Sequence, residues 1–203
     1  MGYSDKMSKT GLIIPTQEEA QYLNPKVLDK FPQYVISGLG KVKAISACCE
    51  LIHLHDCDHI ILFGLAGGLS GLNLGNIIEP SIYIEGDLDA RILRYDYPNI
   101  VKTTSNRLLV DSYGGAMVTQ DSFLTSNPYK FSYENLACDM EAYACAYYCS
   151  NFLVQFHTVK IISDIIGYKG PRHLNNTSAY KSAPKNMNEL MNEVLKELSC
   201  LVE

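Results

Sequence analysis

The chain of 203 residues carries a formal charge of −5, with its lysines and arginines scattered singly, which excludes the basic patch that nucleic acid or an anionic membrane surface would need. An apolar share of 47% is that of a folded protein with a real core, and the length suits one domain spanning 1–203. No apolar run approaches the roughly 18 residues of a membrane span, and the polar start MGYSDKMSKT lacks the apolar stretch of a secretory signal, so a cytoplasmic protein is expected.

GLIIP (11–15) predicts a short buried strand stopped by Pro15. TQEEAQYL then predicts a helix N-capped by Thr16, with Glu19 at the reciprocal position of a capping box. QYVISGLG repeats the plan, with a strand to Ser37 and a turn at Gly38 and Gly40. A helix follows from about Lys41 to Leu54, with Val42, Ile45, Cys49 and Ile52 at helical spacing. His53, His55, Cys57 and His59 of HLHDCDH invite a zinc reading but match no C-x-x-C or H-x-x-x-H spacing, so a polar loop and no metal are expected.

A continuous apolar strand (60–63) leads into a glycine-dense loop and a β-branched run (77–84) that Pro80 breaks. Residues 85–114 read as an irregular, charged surface excursion, and 115–124 as a returning strand. Then come a helix over 139–151, a strand over 156–163, and a loop rich in Gly, Pro and Asn over 167–178. From about Ala183, Met187, Leu190, Met191, Val194, Leu195 and Leu198 form one apolar helix face. Of seven cysteines, Cys48, Cys49, Cys138, Cys145 and Cys149 lie in apolar helical surroundings, so reduced, buried thiols are expected.

Strands alternating with helices predict a three-layer α/β fold, a central mixed sheet flanked by helices, with ligands at the carboxyl ends of strands. Those ends carry Thr16 to Glu19, Ser37 to Gly40, Gly64 to Gly68, Gln120 to Phe123, and Ser163 with Asp164. Asp164 follows an apolar strand, where burial would keep its carboxyl protonated as a donor; an N-cap is the alternative. Asp139 and Glu141 flank the start of a helix, where either would complement the dipole, although alanine and cysteine around Glu141 predict burial. FGLAGGLSGLNLG (63–75) lacks the G-x-G-x-x-G order of a dinucleotide site, so Gly67 and Gly68 either let backbone approach a small ligand or make a turn.

In this order the segments GLIIPTQEEAQYL, ISGLGKVKAISA, IILFGLAGGLSGLNLGNII, MVTQDSFL and CDMEAYACAYYCSNFLVQFHTVKIISD resemble the purine nucleoside phosphorylase and nucleosidase superfamily. Within it they are most similar to the methylthioadenosine/S-adenosylhomocysteine nucleosidases. Met140-Glu141 and Ser163-Asp164 are the most specific parts. The resemblance implies that Glu141 binds the ribose hydroxyls with Met140 lining the sugar pocket, and that Asp164, oriented by Ser163, protonates or hydrogen-bonds purine N7. It also implies that Phe123 stacks on the base and that Glu19 activates water.

The phosphorylases resembled carry an arginine before the glycine loop, whereas this chain has apolar Leu62, Phe63 and Leu65 there. Lys160 also stands where the nucleosidases have arginine, and Leu65 and Gln120 replace a small polar residue and a glycine. The reading is hydrolysis of the N-glycosidic bond of a purine nucleoside by water, without cofactor, in a homodimer with no nucleic-acid or membrane partner. Phosphorolysis and an inactive nucleoside-binding protein are the alternatives.

Overall fold

The run His59–Ser70 is the strand around which the rest is built. In the computed structural model, which describes residues 9–95, 97–167 and 187–201, it forms β3. Nine strands join one mixed sheet: β1 (Thr10–Ile14), β2 (Tyr34–Ile36), β3, β4 (Ile77–Ile78), β5 (Ile82–Glu85), β6 (Asn99–Lys102), β7 (Ala116–Thr119), β8 (Leu136–Asp139) and β9 (Gln155–Ile165). One edge of β3 pairs first with β1 in parallel and then, from Gly67, with β8 antiparallel. Its other edge follows β9 in parallel from His59 to Gly68. Because β3 changes partners along its length, the ends of β1, β8 and β9 converge on its glycine half.

Alternation along the strands separates two layers. Ile13, Ile60 and Leu62 face Ala44, Ala47 and Cys48 of α3 (Lys41–Cys49) and the buried face of α4 (Ala142–Asn151). Leu12, Ile14, Ile61 and Phe63 face the other way, against α2 (Pro25–Leu28) and α5 (Met187–Leu201), whose Met191, Val194, Leu195 and Leu198 are buried. The three-layer arrangement and the amphipathic closing helix are as expected, since a sheet this apolar on both faces must be covered twice.

Several local expectations are corrected. The glycine-dense loop is a strand as far as Ser70, because a long neighbour, β9, supplies a hydrogen-bonded partner that outweighs the low strand propensity of glycine. The supposed excursion 85–114 contains a 3₁₀ turn (Arg91–Leu93) and β6, antiparallel to β5. β7 stops at Thr119 rather than 124. Helix α4 starts at Ala142, and Leu136–Asp139 before it is a fully buried strand, too short and too poor in β-branched residues to read from pattern. The expected helix over 41–54 is α-helical to Cys49 and then a π turn over Glu50–Leu54. The loop expected over 167–178 lies, apart from Gly167, outside the described residues.

Candidate active site

Glu19 sits in α1 (Gln17–Ala20), the one-turn helix that Thr16 caps. The capping box forms as expected: Glu19 N–H donates to Thr16 Oγ1 at 3.1 Å, and Glu19 Oε2 accepts from Thr16 N (3.0 Å) and Oγ1 (2.9 Å). Leu65 N donates to Oε1 at 2.7 Å. The carboxyl is thereby held against β3, and Gly64 is required there, since a Cβ would come within 2.6 Å of Oε1. Three of the four acceptor directions of the carboxylate are used, which leaves one on Oε1 for a ligand. Burial raises the Glu19 pKa against the opposing pull of Lys160, Leu65 N–H and Thr16.

The junction of β8 and α4 separates its two acids. Asp139 does the capping: Oδ2 accepts from Ala142 N at 3.0 Å, and Oδ1 accepts from Thr119 Oγ1 at 2.7 Å. Thr119 Oγ1 in turn accepts from Tyr143 N at 2.8 Å. Glu141 occupies the N-cap position yet makes no side-chain capping bond. Its Oε1 instead accepts from Gly40 N at 3.0 Å, at the start of α3. Gly40 has φ +96, so a side chain there would be strained. Met140, between the acids, is half-buried.

Lys160 lies at the centre of these groups, fully buried, with Nζ 3.5 Å from Asp139 Oδ2 and 3.6 Å from Glu141 Oε2. It makes no hydrogen bond among the described residues. Burial alone would lower its pKa, but Asp139, Glu141 and Glu19 together raise it, so it stays charged. Among the described residues, one ammonium serves three carboxyl groups. Burial pushes the Glu141 pKa up to about 7, Asp139 and Glu19 add to the rise, and Lys160 and Gly40 N–H oppose it.

Four residues further along β9, the pairing with β3 slips: Ala66 faces Ile162 and Gly67 faces Asp164, so Ser163 is the extra residue of a β-bulge. The bulge aims Ser163 Oγ at Asp164 Oδ1, to which it donates at 2.9 Å. Asp164 is half-buried, and burial raises its pKa against that bond. The space beside Gly67 and Gly68 is occupied by Ile166, Cys138 and Ile165, so close packing accounts for both glycines. Phe123 stands on the exposed turn after β7, 62% accessible. Gln120 ties that turn by donating to Ser122 O at 2.7 Å and accepting from Tyr129 OH.

The structure thus gathers Glu19 and Glu141 around Lys160 and sets Ser163 and Asp164 at the open end of the same strand. Phe123 is exposed on the turn after β7. The groups that motif reasoning leaves out are Thr119, the Gly40 N–H and the central position of Lys160. A lysine inside the apolar run TVKIIS is the one signal available, because buried lysine is rare unless paired. HLHDCDH does not converge: His53 bonds Tyr148 Oη at 3.0 Å, while His59 Nε2 lies 2.8 Å from His157 Nδ1.

A mixed sheet between two helical layers, with buried carboxyl groups at converging strand ends, defines a three-layer α/β protein. The sequence profile of the phosphorylase superfamily matches residues 28–196, and the chain belongs to that superfamily. It is 29% identical over 187 residues to the 5′-methylthioadenosine/S-adenosylhomocysteine nucleosidase of Buchnera aphidicola subsp. Schizaphis graminum, covering 81% of this chain and 79% of that one. It is also 29% identical over 155 residues to the enzyme of the same name from Geobacillus sp., covering 64% of this chain and 66% of that one. The solved structure of the Campylobacter jejuni nucleosidase of that name superposes with a TM-score of 0.74 at 18% identity, covering 95% of this chain and 99% of that one. The expected family and fold class are therefore the ones found.

Proposed function

We propose that the chain is an N-glycosyl hydrolase that cleaves a purine nucleoside of the methylthioadenosine or S-adenosylhomocysteine type with water. The observation that carries this reading is the cluster of Glu19, Glu141 and Asp139 around Lys160. Among the described residues, three acids face one cation, a charge balance that disfavours a phosphate dianion and suits neutral water. The named relatives point to the same reaction.

In the mechanism, Asp164, whose pKa burial raises, donates a proton to purine N7 as the C1′–N9 bond breaks and its electron pair leaves with the base. Glu141 holds the ribose hydroxyls beside Met140 while positive charge develops on the sugar. Glu19 accepts a proton from water through its unused Oε1 direction as the water oxygen bonds C1′. Ser163 orients Asp164, Phe123 stacks on the base, and the backbone at Gly67, followed by Gly68, lies opposite Asp164 and Ile165 along that edge. No cofactor takes part.

The same reading takes 1–203 as one domain and the protein as a cytoplasmic homodimer. All seven cysteines are free thiols, which suits a reducing compartment. Exposed Leu39 and Val42 at the start of α3 offer an apolar surface for a second copy. No helix among the described residues is long and apolar enough to cross a membrane.

The test is release of free base from methylthioadenosine, S-adenosylhomocysteine, adenosine and inosine, with and without phosphate, beside Asp164→Asn. Phosphate-independent release that vanishes in the variant supports hydrolysis. Release only with phosphate assigns phosphorolysis and removes Glu19 as the base, and tight binding with no product assigns a binding protein.

A further inference from the structure

Lys41, the first residue of α3, gathers a second set of acids beside the site. Its Nζ lies 2.6 Å from Asp87 Oδ1, 3.1 Å from Glu85 Oε1 and 3.8 Å from Asp121 Oδ2. Its backbone N donates to Asp121 Oδ1 at 2.9 Å, and Asp121 N donates to Asp87 Oδ2 at 2.8 Å. Glu85 ends β5, and Asp87 lies two residues beyond it. Asp121 lies two residues beyond Thr119, the end of β7, and two before Phe123. Two separate segments, the β5 and β7 ends, therefore meet on one lysine at the start of a third, and its side chain is only 17% exposed.

The neighbouring N–H, that of Gly40, is the one that holds Glu141. A Cβ on Gly40 would lie 3.0 Å from Asp121 Oδ1, so the two contacts crowd the same point. No helix or strand lies between Thr119 and Leu136, and the turn over 120–123 depends on side-chain ties. Without Lys41, Glu85, Asp87 and Asp121 would repel one another, and the turn would be the part free to move.

We propose that Lys41 is a positioning residue for the nucleobase: it draws the acids of the β5 and β7 ends together and so fixes the Phe123 turn in register with the Glu141 sugar site. The inference rests on the nucleosidase reading for the role of the turn. Burial would lower the Lys41 pKa, but bonds to Asp87 and Glu85 raise it, and against the burial of Asp87 its bond to Lys41 lowers the Asp87 pKa.

The experiment measures methylthioadenosine cleavage and backbone amide exchange over 119–124 in wild type, Lys41→Met, Lys41→Arg, and Lys41→Met with Asp87→Asn. In Lys41→Met, KM rises about five- to tenfold with kcat within about threefold, the pattern of lost ground-state positioning. Amide exchange over 119–124 speeds up about tenfold while β1 and β9 stay protected. Lys41→Arg and the Asp87→Asn double variant bring both readouts back towards wild type. Unchanged KM, a fall in kcat alone, or faster exchange with no change in KM overturns the proposal. If the wild-type chain releases no base, the nucleosidase reading fails by itself. Lys41 is then judged by amide exchange and by the dialysis Kd for free adenine, and no change in either overturns it.

Discussion

Replacing Lys160 with Met removes the cation that, among the described residues, serves a buried group of three acids, and the cost depends on pH in a defined way. Its contacts at 3.5 and 3.6 Å are each worth about 5 kcal/mol of attraction at an effective dielectric constant of about 20. Desolvation of the ammonium cancels much of this, and removing one partner of a buried pair costs about 3–5 kcal/mol. That full cost applies above pH 8, where Glu141, pushed up to about 7, is ionised in the wild type. At pH 5.5 Glu141 is protonated already and attracts Lys160 weakly, so the cost falls to roughly half. Urea unfolding followed by far-UV circular dichroism at pH 5.5, 7 and 8.5 gives the difference directly. A loss below about 1 kcal/mol at pH 8.5, or one that does not change with pH, would refute the charge assignment.

Other consequences follow from the same geometry. Asp164→Asn lowers kcat for base release by about 10²–10⁴-fold with little change in KM, because the lost group acts on the departing base. Since Asp164 must be protonated and burial raises its pKa, wild-type kcat falls as pH rises above the ordinary carboxylate range, and Asp164→Asn loses that limb of the profile. Gly64→Ala puts a methyl group 2.6 Å from Glu19 Oε1. Turnover drops at least tenfold and stability by about 1–3 kcal/mol, measured by steady-state kinetics and urea titration. His59, lowered from 6.5 to about 4 by burial and by His157, contributes stability that is present above pH 6.5 and lost as pH falls towards 4. Replacing His59 with Gln therefore narrows the gap in urea midpoint between pH 6.5 and 4.5.

The capping box at Thr16 and Glu19 was legible because its residues lie three apart and act on adjacent backbone. What the pattern left open was the use of that carboxyl. Only β3, brought alongside by a parallel pairing distant in sequence, supplies Leu65 N–H and the gap at Gly64. Asp139 and Glu141 looked alike as acids at a helix start. They divide because Asp139, ending β8, faces Ala142 N and Thr119, while Glu141 faces Gly40 across to another helix. β8 itself could not be read from LACD, since its strand character comes from pairing with β7 and β3.

By itself, the sequence determined the layer architecture, the buried strands and amphipathic helices, and the family likeness carried by Met140-Glu141 and Ser163-Asp164. These rest on periodicity and on residues close together in the chain, which local physics makes visible. The tertiary structure decided the rest: Lys160 as the shared counter-ion, the bulge that turns Ser163 towards Asp164, the capping role of Asp139 and the meeting of the β5 and β7 ends on Lys41. Each depends on a charge or a backbone N–H arriving from a segment dozens of residues away. The strength of such a contact is set by burial and distance, which exist only once the sheet has formed.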